Sequence, residues 1–300
     1  MQSIQMSRGR RGFTMIEVLV ALVLLGIVSA ALYRVLANNQ RLYMAQTQRI
    51  DLSQNIRAAS TILPAEFREL DASEGDITAM SATSISIRAM RWVGFACNTP
   101  LLGGALGSVS VIVRGGTPGE PLFFGSRGIA NSDGVLIYYD GDKNSRLDDF
   151  WATGTITAAP NGQNCDDGTN GQRLLVNLNL LGLGPNLPGG IPLGAPVRGW
   201  EPVTYALYQA AGDTSWYVGF QPAGHAMQPL IGPVLAGNGL QFQYYDANGA
   251  VTAIRAQVAR IDVTVRARTT GAVRAGGQAA AATIVDSVVT SVALRNNRRF

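Results

Sequence analysis

One histidine, one lysine and two cysteines stand in 300 residues, and only 15% of the chain is charged. Each scarcity excludes some chemistry. His225, between Gly224 and Met227 in a Gly- and Pro-rich stretch, has no second histidine to share a triad or a His-rich metal site, and reads as an exposed loop residue. Lys143 has no Gly-x-x-x-x-Gly before it, so a phosphate-binding loop is absent. No Gly-x-Ser-x-Gly elbow is present either, and the chain is not expected to be an enzyme. The net charge of +4 counts Arg8, Arg10 and Arg11, and without those three the remainder carries +1. A nearly neutral body has no global field for nucleic acid or anionic lipid, so a nucleic-acid partner is not expected.

Long apolar runs are also scarce, with one exception at the N-terminus. Residues 13–33 carry a single charge, Glu17, between the leader arginines and Arg34. As a helix, these 21 residues span about 31 Å, close to the hydrocarbon thickness of a bilayer. The arginines ahead of the run place the leader on the cytoplasmic side. A cleaved secretory signal is one reading, because Val28-Ser29-Ala30 resembles the small-residue site that follows an apolar region. A carboxylate inside that region costs about 2.5 to 3.5 kcal/mol on insertion scales, which neither a signal peptide nor a plain single-span anchor explains.

The residues Arg11-Gly12-Phe13-Thr14-Met15-Ile16-Glu17-Val18-Leu19, followed by the apolar run, resemble the type IV prepilin cleavage and methylation motif. The resemblance covers about residues 8–36. It implies that Gly12 is the last leader residue, that prepilin peptidase cuts before Phe13 and methylates it, and that Glu17 is the fifth residue of the mature chain. It implies further an inner-membrane protein with an extracytoplasmic domain, which joins other pilin or pseudopilin subunits in a filament. Glu17 is then tolerated in lipid because an amino terminus, a neighbour's or its own, pairs with it.

Past the membrane segment (13–34), residues 35–70 read as an amphipathic continuation of the helix. Leu42, Ala45, Ile50, Ile56, Ala59, Ile62, Leu63 and Phe67 recur near helical spacing, as a stripe that packs on a sheet. Pro64 is expected to kink or end the helix, and 71–76 with Gly75 to be its exit. Gly26 is a soft point for bending or a packing position. The period then changes to two. Strands are expected at 84–88, 108–113, 135–139, 174–180, 203–208, 216–220, 240–245, 259–268 and 285–294. Asn248-Gly249 signals a type I′ hairpin, and 182–199 reads as a long connection. The expected class is α+β: a long membrane-spanning N-terminal helix, pilin-like, packed on a mostly antiparallel β domain at 77–300, with 1–12 a cleaved leader.

The run Phe242 to Gly249, with 261–265 and 292–296, is similar to the tail of large minor pilins of the PilW type and of J-type pseudopilins of type II secretion. That resemblance implies a subunit near the filament tip that helps initiate assembly. A tip adhesin or DNA-uptake module on the same scaffold is the alternative. For DNA, the candidate surface is Arg260, Arg266 and Arg268 beside Asp262 and Thr264 on one strand face, with Arg295, Arg298 and Arg299 nearby.

Two further groups stand out. Asp140, Asp142, Asn144, Arg146 through its carbonyl, and Asp148 or Asp149 occupy the spacing of a calcium loop. Ser145 replaces the turn glycine and Trp151 the bidentate Glu, and an acidic solvated turn explains the same residues. Cys97 and Cys165, in a domain outside the cytoplasm, read as one disulfide, with two free buried thiols as the alternative.

Overall fold

The computed structural model describes residues 13–102, 108–142, 144–145, 149–179, 190–273 and 280–295. The described residues up to Asp51 form one compact unit together with Thr269–Ile284, and Leu52–Arg268 form a second with the described residues from Val285 onward.

A single helix, α1 (Met15–Arg68), runs through the expected kink position without ending. Pro64 is buried inside its last turns. In the first unit, Leu42 and Ile50 are 53% and 55% exposed, so the predicted stripe does not begin there. In the second unit the buried face is Leu52, Ala59, Leu63 and Phe67, with Ile56 half-buried and Ile62 exposed. Those positions follow a steady helical repeat that the larger apolar count around Leu42 to Ile50 obscures. The chain leaves the helix through Asp71, whose Oδ1 accepts from the Ser73 and Glu74 N–H groups at 3.0 and 3.3 Å. Gly75, at a φ of 83°, completes the exit.

Fifteen strands follow among the described residues: β1 (Ile77–Met80), β2 (Ser84–Phe95), β3 (Leu101–Leu102), β4 (Ser108–Arg114), β5 (Phe124–Gly125), β6 (Gly134–Tyr139), β7 (Phe150–Ile156), β8 (Asn161–Asn164), β9 (Asn170–Leu178), β10 (Pro196–Tyr208), β11 (Trp216–Pro222), β12 (Gln228–Val234), β13 (Leu240–Tyr245), β14 (Arg260–Arg268) and β15 (Val285–Ala293). Every pairing is antiparallel. All nine expected strands are present. The long connection ends earlier than expected, because β10 starts at Pro196 and includes Gly199. A Cβ at Gly199 would collide with the buried Trp92 ring, so only glycine fits that strand position.

β10 organises the sheet. It pairs with β2 along one edge, while the other edge divides between β6 over 197–200 and β11 over 203–208. Two cores result. The first gathers Leu63, Phe67, Ile85, Ile87, Tyr205, Phe242, Ile261 and Val263 around the end of α1. The second, without helix residues, holds Trp92, Val111, Ile137, Leu174 and Val197. The Asn248-Gly249 turn is not type I′. Asn248 lacks the positive φ that type requires; Gly249 alone has it, at 81°, with its N–H on the Asp246 carbonyl at 3.1 Å. Asp246 decides the geometry, since its Oδ1 accepts from Asn248 and Ala250, both at 2.9 Å.

Candidate functional site

The start of α1 is capped by a threonine hydroxyl. Thr14 precedes the first helical residue, and its Oγ1 accepts the Glu17 N–H at 3.3 Å, while its carbonyl accepts from Glu17 and Val18 at 3.1 and 3.2 Å. Glu17 therefore lies in the first turn, where the helix dipole favours an anion. Gly12 lies outside the described residues. Phe13 is 82% exposed, and Val18, Leu19, Leu22, Leu25 and Ile27 are exposed as well. The most apolar 18-residue window of α1 has a mean hydropathy of 2.6, and none of it is buried. A helix apolar on all sides and uncovered by its own chain needs lipid or other helices around it. Gly26 has nothing within 4 Å of where its Cβ would stand, so among the described residues nothing packs against it.

The other end of α1 is fixed to the sheet by charges that the sequence reading missed. Arg91 of β2 donates from Nη1 to both oxygens of Glu66 on α1, at 3.0 and 3.2 Å, and from Nε to Glu201 of β10 at 2.6 Å. Glu201 also accepts from Arg127 at 3.2 Å. Arg127 binds both oxygens of the buried Asp133, at 2.9 and 2.7 Å, and Asp133 takes the Trp92 indole N–H at 2.9 Å. Burial alone would lower the Arg91 pKa, but the Glu66 charge and the Glu201 hydrogen bond outweigh it and raise the value. The Asp133 hydrogen bond raises that of Arg127. Burial, followed by the Glu66 charge, raises the Tyr205 hydroxyl. The network joins helix, both halves of the sheet and the loop after β5, with two arginines shared among three carboxylates. A sequence signal did exist: in Ala89-Met90-Arg91-Trp92-Val93 a single charge stands inside an apolar run.

Cys97 and Cys165 are joined in a disulfide with Cα atoms 5.3 Å apart. Cys97 follows β2, and Cys165 opens the turn between β8 and β9, where its N–H and carbonyl bond Thr169 and Gly168. Of the calcium-loop residues, Arg146 and Asp148 lie outside the described ones. Asp142 Oδ1 accepts from the Asn144 N–H at 3.0 Å, which is turn chemistry, and Asp140 and Asp149 are half-buried. Among the described residues no group of three His, Cys, Asp or Glu side chains converges on one point. On β14 the alternation is as expected, with Ile261, Val263 and Val265 buried opposite the arginines. Two of those arginines have partners: Arg260 pairs with Asp262 at 3.2 Å and lies over the Tyr245 ring, and Arg266 donates to Gln241 at 2.6 Å. Arg295 reaches Glu69 at 3.4 Å, while Arg298 and Arg299 are outside the described residues. His225 is exposed in the turn after β11.

A family model described as the prokaryotic N-terminal methylation motif matches residues 7–33. No curated protein and no solved structure match the chain. The N-terminus is thus type IV prepilin-like, the kind processed by prepilin peptidase and assembled with other pilin or pseudopilin subunits. Pilin-like proteins that carry this motif are generally structural.

Proposed function

We propose that this chain is a minor pilin-like subunit of a type IV pilus, PilW-like in its β domain, which acts near the filament tip during assembly. Prepilin peptidase removes residues 1–12 and methylates Phe13; residues 13–34 hold the subunit in the inner membrane until it enters the filament. The observation that carries this reading is the pairing of a methylation motif at 7–33 with a helix whose apolar start is wholly uncovered. Its far end is rooted in the β core through Leu63 and Phe67. Such a subunit offers its first turns to other helices and keeps its globular body outside the membrane. A minor pseudopilin of a type II secretion machine has the same parts, and the machine encoded alongside distinguishes the two. The test is fractionation: the mature chain belongs in filaments sheared from cells, and its confinement to the inner membrane under conditions of filament assembly would refute the subunit role.

A further inference from the structure

Among the described residues β15 is an edge strand, bonded to β14 on one side only. The register shows which groups face outward. Leu294 donates to Ala259 at 2.9 Å, so the even-numbered residues of β15 direct their N–H and C=O groups at β14. The odd-numbered ones, 285 to 293, point away from it. At one end of this outer edge the Arg295 N–H reaches the Arg68 carbonyl at 2.9 Å, and nearer the other the Ser287 N–H is taken by Asp286 Oδ1 at 2.8 Å. Between them, the outward N–H groups of Val289, Ser291 and Ala293 have no partner among the described residues.

Edges of this kind are normally guarded by lysine, proline, a bulge or a covering loop. β15 reads Val-Asp-Ser-Val-Val-Thr-Ser-Val-Ala, with neither lysine nor proline, and it pairs in unbroken register over its whole length. Val285 and Val289 are 45% and 64% exposed. The strand also reads nearly the same in both directions about Val289. Turned antiparallel against itself, Ser287 meets Ser291, Val288 meets Thr290, Val285 meets Ala293, and Val289 meets its own copy. The single charge, Asp286, meets Val292, so no like charges face each other across the pair.

We propose that the outer edge of β15 is a docking surface for a second copy of this chain, which pairs β15 to β15 antiparallel about Val289 and continues the sheet across a twofold axis. The self-complementary side-chain order favours a like copy over an unrelated strand, because an isologous contact requires each patch to fit itself. This pairing needs no filament, so its failure would leave processing at Gly12–Phe13 untouched.

Register-specific cross-linking of the full-length protein in detergent, with the Cys97–Cys165 bridge intact, tests the pairing. V289C protein should form a disulfide-linked dimer under mild oxidation. S287C and S291C proteins should cross-link when mixed and not alone, since like positions then stand about 13 Å apart along the strands, beyond disulfide reach. V289P in the mixed pair removes an outward donor that the native fold does not use, and V289K places two ammonium groups face to face. Either should lower the cross-linked yield about tenfold or more while the native bridge still forms. No dimer from V289C, equal cross-linking of S287C alone, or capture of a different polypeptide only would overturn the proposal.

Discussion

Arg91 of β2 and Glu66 of α1 meet in a two-pronged contact at 3.0 and 3.2 Å, and with it the last turns of the helix are fastened to the sheet. Arg91 is 12% exposed and Glu66 24%, so water screens the pair only in part. Arg91 also serves Glu201, so its removal leaves Glu66 without its cation and Glu201 with Arg127 alone.

Arg91→Ala is therefore expected to destabilise the β domain by about 2 to 3 kcal/mol, somewhat below the range for fully buried pairs. Glu66→Gln should cost less, because Arg91 keeps Glu201. Thermal unfolding of both variants checks the order. Equal and small losses would mean that the network is only solvated surface charge.

Asp76 gives a pH signature. Burial, its largest influence, raises its pKa above 3.8, against the Asp71 N–H bond and the Arg88 and Arg198 charges. Because the folded state holds this proton more tightly than the unfolded chain, the group favours folding most below the ordinary carboxylate pKa. That support is lost as pH rises through the higher folded value. Asp76→Asn keeps an acceptor for the Asp71 N–H and has no charge to bury. Its stability relative to wild type should rise between pH 3.5 and 7, to a gain of about 1 kcal/mol at neutrality. A difference that stays constant with pH would contradict this assignment.

Much of the fold was legible because apolar alternation survives in the strands that line the cores. The strands that escaped lack it for separate reasons. β8 is Asn-Gly-Gln-Asn, with nothing apolar to alternate, and it exists because β9 pairs with it. β12 contains Pro229 and Pro233, which argue against a strand unless its pairing is partial, and it is: the ladder to β11 shifts register twice. β3 and β5 are two residues each. The N-terminal site was legible because its chemistry is consecutive in the chain. The Glu66–Arg91–Glu201–Arg127–Asp133 network was not, since its members lie far apart in sequence and single charges in strands usually face solvent.

The disulfide makes a separate prediction. Its cysteines are 68 positions apart, and closure of a loop that size contributes about 4 kcal/mol on the chain-entropy estimate. Cys97→Ser with Cys165→Ser should lower the Tm by about 10 °C for a domain of this size. Peptide mapping without reductant should recover the linked pair from envelope protein. Two thiols open to alkylation in folded protein would disprove the bridge.

Glu17 has two roles that a single substitution separates. As a first-turn residue it is replaceable by glutamine, because the bond to Thr14 is made by its backbone N–H. As the partner of an amino terminus in lipid it is not, because glutamine carries no charge. Glu17→Gln should be cleaved and inserted normally and yet be depleted from sheared filaments about a hundredfold, as expected when one side of a buried pair worth about 3 to 5 kcal/mol is lost. Wild-type incorporation would leave Glu17 only its place in the first helical turn.

The mass of the mature N-terminus tests the account most directly. Cleavage after Gly12 and methylation should give a first residue of N-methyl-Phe13, with Glu17 fifth in the chain. A mature chain that begins at Ala31 would make the apolar run a discarded signal, and the reading of this protein as a filament subunit would fall with it.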